Sequence, residues 1–186
     1  MKNAVVVTAV AGLAAAASAQ SAEFTFSADA TEVMVGDTVN FTVSVSYTGL
    51  SGTGYFGGFI GSFLASNPAL GTAGNFVNFM GGEGTAPTAA GADVNDINVF
   101  NSALLGTDDQ SLGTFFTFSV VADAEGVLSY DAQGVTSLFN SDFIFDQAIE
   151  VNASVVSDSV NIVPVPAPGA VALLGLGGLV ATRRRR

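Results

Sequence analysis

Every basic side chain of this sequence lies at one of its two ends, so whatever folds between them must do so without a salt bridge. Lys2 stands near the start and Arg183, Arg184, Arg185 and Arg186 close the chain, which accounts for all 5 Lys+Arg. The 16 Asp+Glu fall between Glu23 and Asp158, and His is absent. Residues 20–163 therefore carry only negative charge, yet they hold all 15 Phe. Aromatic and β-branched content of that kind is not the composition of a disordered acidic tail. A chain of 186 residues buries roughly two-thirds of its unfolded surface in one domain, so the middle is expected to fold around a real core.

The same counts remove whole classes of chemistry. Without Cys or His there is no disulfide scaffold, thiolate zinc site, haem-attachment motif, Cys nucleophile or Ser-His-Asp triad. A formal charge of −11 repels phosphate, so nucleic acid is not an expected partner.

Both ends read as addresses. Met1-Lys2-Asn3 gives a short positive start, and Ala4 to Ala16 is apolar apart from Thr8 and Gly12. Ala17-Ser18-Ala19 then places small residues where a signal peptidase reads, so residues 1–19 are expected to be a signal peptide cut before Gln20. At the other end, Pro164-Val165-Pro166-Ala167-Pro168 interrupts regular structure, because proline lacks an amide donor and restricts its predecessor. Gly169 to Thr182 follows without a charge, and the four arginines close the chain. As a helix this stretch is about 21 Å long at 1.5 Å per residue, short of the roughly 30 Å hydrocarbon core. The arginines are expected to stay cytoplasmic.

This ending resembles the PEP-CTERM sorting signal, a Pro-Glu-Pro-like motif, a short apolar helix and an Arg cluster read by an exosortase. Pro166-Ala167-Pro168 occupies the motif position, with Ala167 where the family has Glu, and Arg183 to Arg186 form the cluster. The resemblance implies processing of residues 164–186 by an exosortase-type enzyme after transient anchoring in the inner membrane, with delivery to the cell surface or extracellular matrix. An ordinary tail anchor with a stop-transfer Arg cluster fits the same three elements, and either way the acidic domain faces outward.

Between the addresses the pattern is β. In Val39-Asn40-Phe41-Thr42-Val43-Ser44-Val45-Ser46 apolar and polar residues alternate, one face buried and one wet. Within Leu112 to Val120, Phe116, Phe118 and Val120 share a face. Further strands are expected at Glu23–Ala28, Tyr55–Leu64, Asn75–Met80, Ile97–Phe100, Gly126–Tyr130 and Ile149–Val163. Turn signals such as Val35-Gly36-Asp37-Thr38, Leu50 to Gly54, Asp108-Asp109 and Ala124-Glu125-Gly126 separate several of them. Met80 to Asp93, rich in Gly, Ala, Thr and Pro, reads as a mobile surface loop. The expectation is an all-β chain: a single antiparallel sandwich over 20–163, flanked by an N-terminal signal helix and a short C-terminal apolar helix.

Three segments of the middle resemble the cohesin-like and carbohydrate-binding-module-like sandwich superfamily, and the sandwich is expected to be cohesin-like or jelly-roll-like. Val35 to Val43 looks like its opening strand, and Asn67-Pro68-Ala69-Leu70 is similar to its Asp-Pro-x-x-Leu element, one residue shorter. Leu112 to Gly126 resembles a later strand ending in an Ala-x-Gly turn. The resemblance implies the fold; Asn67 stands where the family has Asp, and dockerin binding does not follow.

Candidate chemistry is sparse. Gly52-x-Gly54-x-x-Gly57 matches a dinucleotide spacing but opens no amphipathic helix. Asp93, Asn95, Asp96 and Asn98 gather the hard oxygen ligands calcium prefers, without the Gly and distal Glu of an EF-hand, and Asp108-Asp109 and Asp123-Ala124-Glu125 are similar. Each also reads as a solvated turn, where Asp and Asn are favoured for backbone reasons. Carboxylate-pair glycoside hydrolysis is the enzyme class the inventory permits, but no spacing singles out an acid and its partner, so no catalysis is expected. Tyr47, Tyr55 and Tyr130 are the aromatics with a polar handle for a sugar, or else core packing. Asn40-Phe41-Thr42 and Asn152-Ala153-Ser154 match the glycosylation sequon inside strand-like runs. Two readings follow: an exported structural or adhesive surface protein without a catalytic site or cofactor, or an extracellular polysaccharide-binding module assisted by calcium.

Overall fold

The computed structural model describes residues 20–48, 50, 54–101, 111–139 and 148–166. The expected signal segment 1–19, including Ala17 and Ala19, lies outside them. So do Ala167, Pro168, the apolar stretch 169–182 and Arg183 to Arg186, hence both expected flanking helices. No helix among the described residues is long and apolar enough to cross a membrane.

The chain runs β1 (Ser21–Ala28), β2 (Glu32–Met34), β3 (Thr38–Thr48), β4 (Tyr55–Ala65), β5 (Gly71–Asn78), β6 (Gly81–Thr85) and β7 (Thr88–Ala90). It continues through β8 (Asp93–Asn101), β9 (Ser111–Ala122), β10 (Gly126–Leu128), β11 (Tyr130–Phe139), β12 (Ile149–Val151), β13 (Ser154–Ser157) and β14 (Val160–Val163). Five strands form one sheet in the order β13-β1-β3-β9-β5, and β12-β11-β4-β8-β6 form the other, with β7 also on β8. A small sheet, β10-β14-β2, buries Leu128, Val160 and Ile162.

The alternation expected in β3 is the one seen: Val39, Phe41, Val43 and Val45 are buried. The two large sheets meet through phenylalanine rings. Phe24 of β1 meets Phe59 of β4 edge-on at 5.0 Å, and Phe26 meets Phe63 at 4.9 Å. Such edge-to-face pairs add to the stabilisation from burial alone. Phe63 also reaches Phe115, Phe116 and Phe118 of β9, so one ring ties both layers together.

Phe115 departs from the expected pattern. It is fully buried alongside Phe116, because β9 bulges there: Val43 pairs with Phe116 while Ser44 pairs with Thr114. The extra residue turns a second ring inward against Phe24 and Phe56.

The antiparallel expectation needs two corrections. β13 runs parallel to β1, and β14 parallel to β2. The single strand expected over Ile149–Val163 is in fact three short ones in three different sheets. The breaks fall at Asn152-Ala153 and Asp158-Ser159, and Asp158 clips onto β1 by accepting from the Ala28 amide at 3.1 Å.

The expected surface loop 80–93 is also corrected, since it contains β6 and β7. Its glycines are depleted in strands generally, but here they let the backbone lie under larger neighbours. β11 has no counterpart among the expected strands beyond its first residue. Its inward positions include Ala132, Gly134 and Thr136, so no apolar alternation marks it. The reason lies on β4: Gly61 pairs with Gly134, and a Cβ on either would collide with the Phe59 ring. Asn67, the position that departs from the resembled element, caps a 3-10 turn over Pro68–Leu70 by accepting from the Ala69 amide at 3.0 Å.

Candidate functional site

The outer face of the six-stranded sheet carries an apolar strip. Side chains paired across adjacent strands share a face. Val135 of β11 pairs with Ile60 of β4, which pairs with Asn98 of β8. In the next row Ser137, Gly58, Phe100 and Gly82 lie side by side. Ile60 is 60% exposed, Phe100 47% and Val135 39%.

Glycines shape this face. A Cβ on Gly82 would run into the Phe100 ring, and one on Gly57 into the Phe139 ring. Both rings therefore lie down on the sheet, and Phe139 stacks on Tyr55 at 5.0 Å. Gly57 is thus a seat for an aromatic ring within a strand, and the described part of the Gly52-x-Gly54-x-x-Gly57 spacing opens no helix for a phosphate.

Ile60 stands as a ridge between two shallow clefts. One, of about 180 Å³, is lined by Gly57, Gly58, Asn98, Phe100, Ser137 and Phe139 among others. The second, of about 300 Å³, is lined by Ser62, Thr85, Asp96 and Asn98 beside Ile60. The face also holds carboxylates: Asp96 and Asp131 are exposed, and so is Glu150, which pairs with Ser137. With no Lys, Arg or His between residues 20 and 163, nothing in the domain neutralises them.

The four expected calcium ligands sit along β8 rather than around a point. Asp93 accepts from the Ala65 amide at 2.8 Å, and Asp96 accepts from the Thr88 hydroxyl at 2.7 Å. Asp96 takes a left-handed backbone, φ 58°, where Asn95 and Asp96 together face Ser62 in a bulge. Asp123 accepts from Thr72 at 2.7 Å, and Asp108-Asp109 lies outside the described residues. Among the described residues no three His, Cys, Asp or Glu side chains are grouped so as to hold a metal ion.

The three tyrosines are all buried. Tyr130 donates to the Ala92 carbonyl at 2.7 Å, and burial, with the Asp93 charge second, holds its phenol above the ordinary value of 10.0. None presents a face to a sugar. Asn40 of the first sequon is engaged, its side-chain amide donating to Asp29 at 2.7 Å. The apolar strip has no sequence signal, because Tyr55 to Ala65 reads as one nearly continuous apolar run and its outward members are set by register.

No protein-family model matches the sequence, and no curated protein matches it. Solved structures do. The seventh ScaB type I cohesin from Pseudobacteroides cellulosolvens superposes with a TM-score of 0.54 at 12% identity, covering 80% of this chain and 96% of that one. A type I cohesin–dockerin complex from Clostridium thermocellum gives 0.52 at 13% identity, covering 77% and 99%. The second type II cohesin of the ScaA scaffoldin from Acetivibrio cellulolyticus gives 0.50 at 15%, covering 81% and 96%. At these identities the likeness is one of fold: the middle of this chain is a cohesin-like β-sandwich.

Proposed function

We propose that this is an exported, non-catalytic adhesive or structural module, displayed at the cell surface or in the extracellular matrix, that engages a protein partner through the outer face of its six-stranded sheet. The observation that carries the reading is the Ile60, Phe100 and Val135 strip with Asp96, Asp131 and Glu150 around it. An apolar centre with a charged rim is the anatomy of a recognition surface. The absence of any counter-charge in residues 20–163 selects a partner with apolar residues flanked by Lys or Arg. The cohesin likeness supports an interaction module; one of those structures is a complex with a dockerin. Export and sorting rest on Ala17-Ser18-Ala19 and on the Pro166-Ala167-Pro168 to Arg186 ending.

The test is binding of the processed domain to the producer's own surface and matrix fractions, with calcium and with chelator. Wild type is expected to bind saturably and more weakly in high salt, and an Ile60→Asp, Phe100→Ser double variant to lose binding at unchanged melting temperature. Equal binding by that variant would move the partner elsewhere. Competition by free polysaccharide would instead make this a glycan-binding module.

A further inference from the structure

The boundary between the expected leader and the first strand exposes a second piece of chemistry. β1 enters its ladder at Ser21, which pairs with Thr48, their hydroxyls 2.8 Å apart, and Ala22 is already buried. Gln20 is the one described residue before that ladder and is partly exposed. A cut after Ala17-Ser18-Ala19 would leave Gln20 as a single free residue ahead of a fixed strand, carrying both an α-amine and a side-chain carboxamide.

We infer that Gln20 is a modification site, where the processed N-terminus closes on itself as pyroglutamate. This rests on the export reading, since it needs the cut before Gln20. The α-amine nitrogen attacks the side-chain carbonyl carbon. A carbon–nitrogen bond forms, the bond from that carbon to the side-chain nitrogen breaks, and ammonia leaves with a proton taken from the amine. No oxidant and no co-reactant is required. Both reacting groups belong to one residue, so closure has the advantage of an intramolecular reaction. The described backbone pairing of β1 starts one position later, at Ser21, so ring formation at Gln20 disturbs no ladder bond among the described residues.

Two consequences follow for the domain. The α-ammonium is the sole cation that processing would add to residues 20–163, and the lactam is neutral. Closure also removes the free amine that aminopeptidases require. That protects a strand with much to lose, because β1 lies between β13 and β3 and supplies Phe24 and Phe26 to the core.

The full chain, expressed with its own leader in an exporting Gram-negative host, tests this by intact mass and N-terminal sequencing. The expected product begins at residue 20, is lighter by one ammonia than the open form, and resists sequencing until pyroglutamyl peptidase exposes Ser21-Ala22-Glu23. A readable, free Gln20 would overturn the lactam and leave the cut standing. Any other first residue would overturn the cut and the lactam with it. A Gln20→Ala chain should be cut at the same bond and sequence freely; if it stays blocked, the block is not at Gln20 and the inference fails.

Discussion

Tyr130 and Ala92 are joined inside the sandwich: the phenol of the first residue of β11 donates to the carbonyl of the turn before β8, at 2.7 Å. Its ring is packed among Phe26, Phe41 and Phe118, so the bond crosses a region that water does not reach. Removing the hydroxyl in Tyr130→Phe keeps the ring but leaves the carbonyl unpaired. We expect a loss of about 1–3 kcal/mol, measured by urea unfolding.

The same phenol sets an alkaline limit. Its folded value is raised above 10.0, mainly by burial and then by the Asp93 carboxylate. Unfolded, it would titrate near its ordinary value. Its contribution is therefore complete below about pH 10 and is lost as pH rises beyond it, because only the unfolded chain releases the proton there. Stability should fall with pH above that point, less steeply in Tyr130→Phe. Equal slopes in the two proteins would contradict this.

Thr136 points the other way. It lies on an inward position of β11, fully buried, and its hydroxyl has no hydrogen-bond partner among the described residues. Thr136→Val keeps the shape and removes the unpaired group, so it should stabilise by about 1–3 kcal/mol. A lower melting temperature in the variant would mean that the hydroxyl is satisfied in solution.

Two glycines make a matched pair for the backbone. Gly91, in the turn between β7 and β8, has φ +65°, and a Cβ there would strike the Pro68 carbonyl. At Gly74 an added methyl would meet nothing within 4 Å among the described residues. Gly91→Ala should cost more than about 1 kcal/mol, and Gly74→Ala should be neutral or slightly stabilising through the unfolded chain. Equal effects would remove the distinction.

Charge predicts a response to salt. With 16 Asp+Glu and no base in residues 20–163, self-repulsion is screened as ionic strength rises, and the melting temperature should climb. A flat profile would refute this. Because Asp93 and Asp96 already accept from the Ala65 amide and the Thr88 hydroxyl, calcium and magnesium should act alike at matched ionic strength. A larger rise with calcium alone would reveal a specific site.

The legible parts of this fold are those where large apolar residues alternate with small polar ones. Val39 to Val45 declares its buried face because each inward side chain is apolar and each outward one is not. β11 hides because Phe59 fills the space its own residues leave, so Ala132, Gly134 and Thr136 look like loop. β6 hides for a related reason: Gly82 pairs with Phe100 and has no side chain, which leaves room for the Phe100 ring. Ile60 and Phe100 are visible in the sequence as apolar residues, but their exposure depends on pairing partners distant along the chain. Pairwise placement of that kind leaves no local periodicity to read.

The run from Ile149 to Val163 visits all three sheets in turn, and this fixes an order of events. β1 is synthesised first in the domain, yet its outer neighbour β13 is among the last strands made. Until that run emerges, the edge of β1 is unpaired, and β2 and β10 lack the β14 strand that joins them. Closure of such distant pairs costs chain entropy before it returns any contact. The edge of β1 and the β10-β14-β2 sheet are thus completed only by the last strands of the domain to be made.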